Sequence, residues 1–411
     1  MSEPEIVVAH REQLAELLTE AVEVEHNLMC CYLYAAWSLK TGPGEGLTAD
    51  QTREVQSWRR TILNVAIDEM AHFANANNVL ASIGARPHVG RPNFPVAPGY
   101  HPAEVLVALH PFSQSTIDHF VYLERPQGTD LPDGEAFQRE RQYVRATTAG
   151  AMMPSAQDFD TVGQLYRGIQ DGLRQLADAL GEQNLFVGEP EHQIRFEDVS
   201  LDGLMAVRDL ETALQAVENI VIQGEGNLED PEHSHYRKFC GVRDAYQKFL
   251  REDPSFEPTR LVARNPVQRR PPIPENKTWI GASDAGRLLD FVNALYNHML
   301  RTVGAAYEPL PSDTRSVLVS EAIGLMMALG PLNDVLTRLP ASREMPSISA
   351  GMSFAVTREI RVPPASVVVP VLSERTRQLA SAARQLADLG PAVAELGEQL
   401  ESMADRIDAL P

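Results

Sequence analysis

The stretch IDEMAHFANANNVL sets Glu69 and His72 three residues apart, among apolar inward positions at Ile62, Val65, Phe73 and Leu80. On an α-helix that spacing puts both side chains on one face, about a turn apart, where they can reach a common point. A buried carboxylate without a partner costs several kcal/mol, so Glu69 needs a hydrogen bond or a metal. Taken alone, the pair fits a buried structural Glu–His hydrogen bond. Asp68 falls on the opposite face with Thr61 and Asn64, where solvent is expected.

Other carboxylates share this awkward placement. Glu25 lies four residues after Ala21, seven after Leu18 and four before Met29, in the middle of an apolar stripe. Glu23 and His26 fall off its centre. Further on, Leu214, Val217 and Val221 lead by helical spacing to Glu225, which is flanked by Gly224 and Gly226. Glu218 is a second inward candidate on that helix, and His233 and His235 follow in what reads as a short loop. A Glu from one helix and a Glu-x-x-His from the next form half of a di-iron carboxylate bundle, in which carboxylates bridge the cations and imidazoles supply neutral nitrogen ligands.

Apolar spacing of three and four predicts the helices that would position these groups: 10–40, 48–83, 161–180 and 201–223. TGPGEG (41–46), Gly84 and GEG (224–226) are their breaks. Residues 87–160 are rich in Pro and Gly and read as a long irregular insertion with a little strand and a short helix; 252–275 reads as a connector. Helices are expected again from Ser283 or Asp284 to Tyr307 and from Ser312 or Asp313 to Leu339, followed by extended segments in MSFAVTREIRV and SVVVPVL. The last segment repeats 3,4 spacing through Val393, Leu396, Leu400, Met403, Ile407 and Leu410, a seam for another helix of this chain or of a second subunit. The expected organisation is mainly α. A bundle over 10–260 carries the insertion at 87–160, and a smaller helical region spans 276–411.

The composition bounds the function classes. A formal net charge of -20 over 411 residues argues against nucleic acid and anionic membranes as partners. No uninterrupted apolar run reaches the roughly 18 residues of a membrane span, and the acidic MSEPEIVVAH start does not read as a signal peptide. Cys30, Cys31 and Cys240 form no CxxC, which fits a reducing, cytoplasmic setting. Neither GxGxxG after a strand nor GxxxxGK[ST] is present, so no nucleotide cofactor is implied.

EVEHNLMCCYLYAAWSLK, IDEMAHFANANNVLASIGARP, TVGQLYRGI and ALQAVENIVIQGEG with SHYRKF, in that order, resemble the four helices of the ferritin-like domain of the iminophenyl-pyruvate dimer synthases of bisindole pathways. The resemblance covers about residues 10–245. It implies a ferritin-like four-helix bundle with metal ligands at Glu25, Glu69, His72, Glu225 and His235. It also implies one or two iron ions and oxidative chemistry on a small amino-acid-derived substrate. Tyr32 and Tyr166 are candidates to donate a hydrogen bond or act as redox-active side chains, with core packing as the alternative. The chain departs from the family pattern at Gln164 and Ile222, where the family often has Glu. Two readings follow: a metal-dependent, non-haem iron oxidoreductase, or a non-catalytic ferritin-like protein whose metal site is structural, partial or lost.

Overall fold

The computed structural model describes residues 6–411 except 98, 102–105, 139–151, 153, 155, 227–232 and 282–283. Eleven α-helices are seen among them: α1 (Arg11–Ser38), α2 (Ala49–Ser82), α3 (Gln114–Leu123), α4 (Val162–Leu180), α5 (Glu182–Leu185), α6 (Leu210–Gly224), α7 (His235–Glu252), α8 (Asp284–Ala306), α9 (Ser312–Leu336), α10 (Val368–Gln385) and α11 (Pro391–Asp408). The only named strands among the described residues, β1 (Pro266–Val267) and β2 (Thr278–Trp279), pair in parallel.

α1 and α2 pack along each other, α4 lies on α1, α6 lies on α2, and α4 and α6 close the ring, giving a four-helix bundle. Local chemistry sets its start points. Thr48 and Gln51 form a capping box that opens α2, satisfying end N–H groups that have no helical partner. Thr161 caps α4.

α6 begins at Leu210, after an Asp209 capping box, rather than at Leu201. The cause is competition for backbone groups. Asn75 donates to the Gly203 carbonyl and accepts from Met205 N–H, and Asn78 donates to the Met205 and Ile194 carbonyls. These bonds hold residues 203–205 out of a helix, and Gly203 adopts φ 75°.

The segment after Ser234, expected as loop, is α7, with Ser234 accepting from Arg237 N–H at its start. It buries Phe239, Val242 and Tyr246 against α2 and α3. The 87–160 insertion supplies α3, which lies along α7.

In the C-terminal region α8, α9, α11 and α10 pack in a second ring, and α1 meets α9. SVVVPVL is helical rather than extended. It forms a 3-10 turn and the first turn of α10, where Pro370 occupies a position whose missing N–H would have had no helical acceptor. MSFAVTREIRV, expected as extended, is irregular: it forms neither helix nor strand, and Phe354 adopts φ 47°. Val393, Leu396, Leu400, Met403 and Ile407 of α11 are buried within this chain, against α10 and α9. α9 is long and apolar enough to cross a membrane by length and composition. Here its Leu318, Leu325, Leu329 and Leu332 are buried, and its Glu321 pairs with Arg406 of α11 at 2.5 Å.

Candidate metal centre

Glu25 on α1 and Glu69 and His72 on α2 point into the bundle, each at most 2% exposed. His235, the first residue of α7, is fully buried beside them. Glu69 turns one oxygen to each imidazole: Oε2 is 2.8 Å from His72 Nδ1, and Oε1 is 3.0 Å from His235 Nδ1. Glu25 Oε2 stands 3.4 Å from His72 Nδ1. The rings of His72 and His235 stack with centroids 5.3 Å apart. Ligand atoms of Glu69, His72 and His235 all fall within 4.8 Å of one another.

The outer nitrogens are tethered. His72 Nε2 meets Gln223 Oε1 at 2.8 Å, and His235 Nε2 meets Asp68 Oδ2 at 3.2 Å. Both acceptors fix a proton on Nε2, so both Nδ1 atoms face the interior, the arrangement by which second-layer groups orient metal-ligating histidines. Asp68 is therefore not a solvated bystander. It also takes Lys238 Nζ at 3.0 Å, and contacts to His235 and Lys238 lower its pKa despite the opposing effect of burial.

A fourth carboxylate comes from a residue that the spacing argument passed over. Glu124, at the end of α3, brings Oε2 to 3.6 Å from His235 Nδ1. Its Oε1 accepts the Tyr32 hydroxyl, and the Tyr32 ring sits edge-on to Phe120 and Phe239. Tyr166 lines the same cavity and donates to Glu25 Oε1 at 2.5 Å.

Glu225, the C-cap of α6, reaches the cavity too; its Oε2 takes Arg167 at 3.0 Å, while its Oε1 is buried without a hydrogen bond. A Cβ on Gly163 would fall 1.9 Å from Glu225 Oε1, and one on Gly224 would fall 3.3 Å from Glu124 Oε2. Glycine at these positions makes room for both carboxylates. Gln164 and Ile222 do not line the cavity. Gln164 serves the start of α4, where its Oε1 accepts Asp160 N–H at 2.6 Å. Glu218 is exposed and accepts from Gln170, and His233 is also exposed.

Burial and the neighbouring Glu69 push Glu25 up to about 7. Burial works against charge on His72 and His235. Even so, Glu69 and its companions raise His72 to about 10 and His235 well above the usual imidazole range. In the metal-free site the imidazoles are thus the counter-charges of the carboxylates.

These residues fit a divalent or trivalent cation. Two atoms bound to one ion at about 2 Å stand roughly 3 Å apart, which is the spacing found around Glu69. His235 Nδ1 is aligned as a hydrogen bond with neither nearby carboxylate, and Glu225 Oε1 is also unpaired. The cavity among Glu25, Glu69, Glu124 and Glu225 is about 20 Å³, room for one water-sized body.

A helical bundle with a buried Glu on one helix and a Glu-x-x-His on its neighbour is a ferritin-like architecture. The chain belongs to the ferritin-like family, whose description matches residues 18–244. It is 28% identical over 410 residues to dichlorochromopyrrolate synthase of Lentzea aerocolonigenes, covering 91% of this chain and 39% of that protein. It is also 28% identical over 360 residues to 2-imino-3-(indol-3-yl)propanoate dimerase of Chromobacterium violaceum, covering 81% of this chain and 33% of that protein. The chain thus spans 33–39% of the length of these curated relatives. A solved ferritin-like protein from Caulobacter vibrioides matches with TM-score 0.49 and 17% identity, over 85% of this chain and 99% of that one.

Proposed function

We propose that this protein is a non-haem iron oxidoreductase that acts on a small amino-acid-derived substrate in secondary metabolism. The observation that carries the reading is Glu69, whose two oxygens each face the inward nitrogen of a separately tethered histidine. One or two ions would be held by Glu25, Glu69, His72, Glu124, Glu225 and His235. This set of four carboxylates and two imidazoles matches the charge and ligand preference of iron better than a thiolate-poor site would match softer metals. Bound iron would supply one-electron chemistry and a binding position for dioxygen. The names of the relatives, a chromopyrrolate synthase and an imine dimerase, support an imino or amino acid as the substrate class.

The chain's own groups have distinct tasks. Asp68 and Gln223 orient the imidazoles. Tyr166 and Tyr32 hold a hydroxyl proton against Glu25 and Glu124. Leu28, Leu123, Val162 and Ile220 wall the cavity and exclude water, which strengthens every charge interaction inside it.

Glu124 favours this reading over the lost-site one, because it brings to the cavity a carboxylate that Gln164 and Ile222 do not. Metal analysis of the wild type beside Glu69→Ala and Glu124→Ala tests the proposal. The wild type is expected to carry iron and both variants to lose it; equal metal in all three would remove the assignment.

A further inference from the structure

Sequence neighbours of the centre point to the other face of the α1–α2 pair. His26 follows Glu25, Met70 follows Glu69 and Phe73 follows His72, and all three line a second cavity, bounded on its far side by α8 and α9 of the C-terminal region and partly open to solvent. This chamber measures about 100 Å³ and shares no lining residue with the carboxylate cavity. Its walls are almost wholly apolar.

The one polar corner is largely tied up internally, with only His26 Nδ1 buried without a hydrogen-bond partner. The Tyr296 hydroxyl accepts from Arg91 Nε at 3.1 Å, so its own proton goes to His26 Nε2 at 2.6 Å. Cys30 Sγ lies 3.6 Å from the same hydroxyl. Arg91 is 7% exposed and also donates to the Pro92 and Phe354 carbonyls. No charged group is left to receive a charged ligand.

We propose that this chamber is a binding site for a small, neutral, apolar molecule of about one aromatic ring. Apolar cavities of about 150 Å³ stay dry and take up benzene or xenon. The present one is smaller, but Met29, Met70, Met299 and Met326 line it, and methionine is the side chain that most readily repacks around a guest. The proposal gives the C-terminal helices a task as the outer wall of the site, and it does not depend on the metal reading.

The test uses the whole 411-residue chain as purified, with benzene as the probe. Saturating benzene should raise the melting temperature by a few degrees, since a ligand that binds only the folded state stabilises it. Benzoate, the same ring with a charge, should give no shift. Ala322→Leu, which places bulk in the wall, should cancel the benzene shift, and xenon-pressurised crystals should show xenon between α2 and α9. Should Ala322→Leu fail to fold, the xenon position decides the location. No benzene shift in the wild type, an equal benzoate shift, a shift retained in a folded Ala322→Leu protein, or xenon elsewhere would overturn the proposal.

Discussion

Gly163 at the start of α4 faces Glu225 at the end of α6 so closely that a methyl group would meet Oε1 at 1.9 Å. The glycine of TVGQLY therefore exists for the glutamate of QGEG, about sixty residues later. Gly163→Ala should displace Glu225 from the cavity. Overpacking of this kind costs about 1–3 kcal/mol. A protein that melts lower but cooperatively, with reduced metal content, is the expected result; unchanged metal would mean that Glu225 is dispensable.

Asp68 should act through His235 rather than by touching a metal. Loss of such a tether lowers metal affinity about 10- to 100-fold. Asp68→Ala and Gln223→Leu should each weaken metal binding by that order in a competition titration with a chelator, while retaining the fold. Variants that bind as tightly as the wild type would show that neither tether matters.

The metal-free protein should lose stability as pH rises. Glu25 and His72 both bind their protons more tightly folded than unfolded, with values near 7 and 10 against ordinary values of 4.5 and 6.5. A raised folded pKa stabilises below the unfolded value and loses that contribution as pH rises through the folded one. The decline should span 4.5 to 7 for Glu25 and 6.5 to 10 for His72. Melting of the chelated protein at about pH 6 and pH 9 checks it, and Glu69→Gln should flatten the upper part. Metal displaces these same protons, so affinity for metal should increase with pH.

Tyr166→Phe removes the hydroxyl that donates to Glu25. A buried acceptor left without its donor costs about 1–3 kcal/mol. The melting temperature should fall, and metal should remain bound because Tyr166 supplies no ligand in this arrangement. Metal loss from the folded variant would make the phenol part of the binding set.

Ile222→Glu should add no metal, because residue 222 does not reach the cavity. Increased metal in this variant would revive the view that the centre is incomplete at that position.

Periodicity made half of the centre legible. Glu25, Glu69 and His72 lie in the middle of long helices, where three- and four-residue spacing says which face is inward. The other half sits at helix ends, where that argument weakens: Glu124 at the end of α3, Glu225 at the end of α6 and His235 at the start of α7. Helical spacing from Leu214, Val217 and Val221 points to Glu225 at the glycine break, His235 is a candidate through its nearness in sequence to Glu225 and the family pattern, and Glu124 lies in a Pro- and Gly-rich insertion. Spacing on α2 alone puts Asp68 on the solvent side, and only α7, which reads as a loop in the sequence, supplies the neighbours that partly cover it. Likewise, the start of α6 depends on asparagines more than a hundred residues earlier.

The split between helix-interior and helix-end positions has a consequence for biogenesis under the proposed ligand set. Glu25, Glu69 and His72 are all made by the end of α2, but Glu69 meets its second histidine only after residue 235 has been added. About 160 residues would then have to follow before the proposed set is complete, and firm metal capture would wait for α7 to dock.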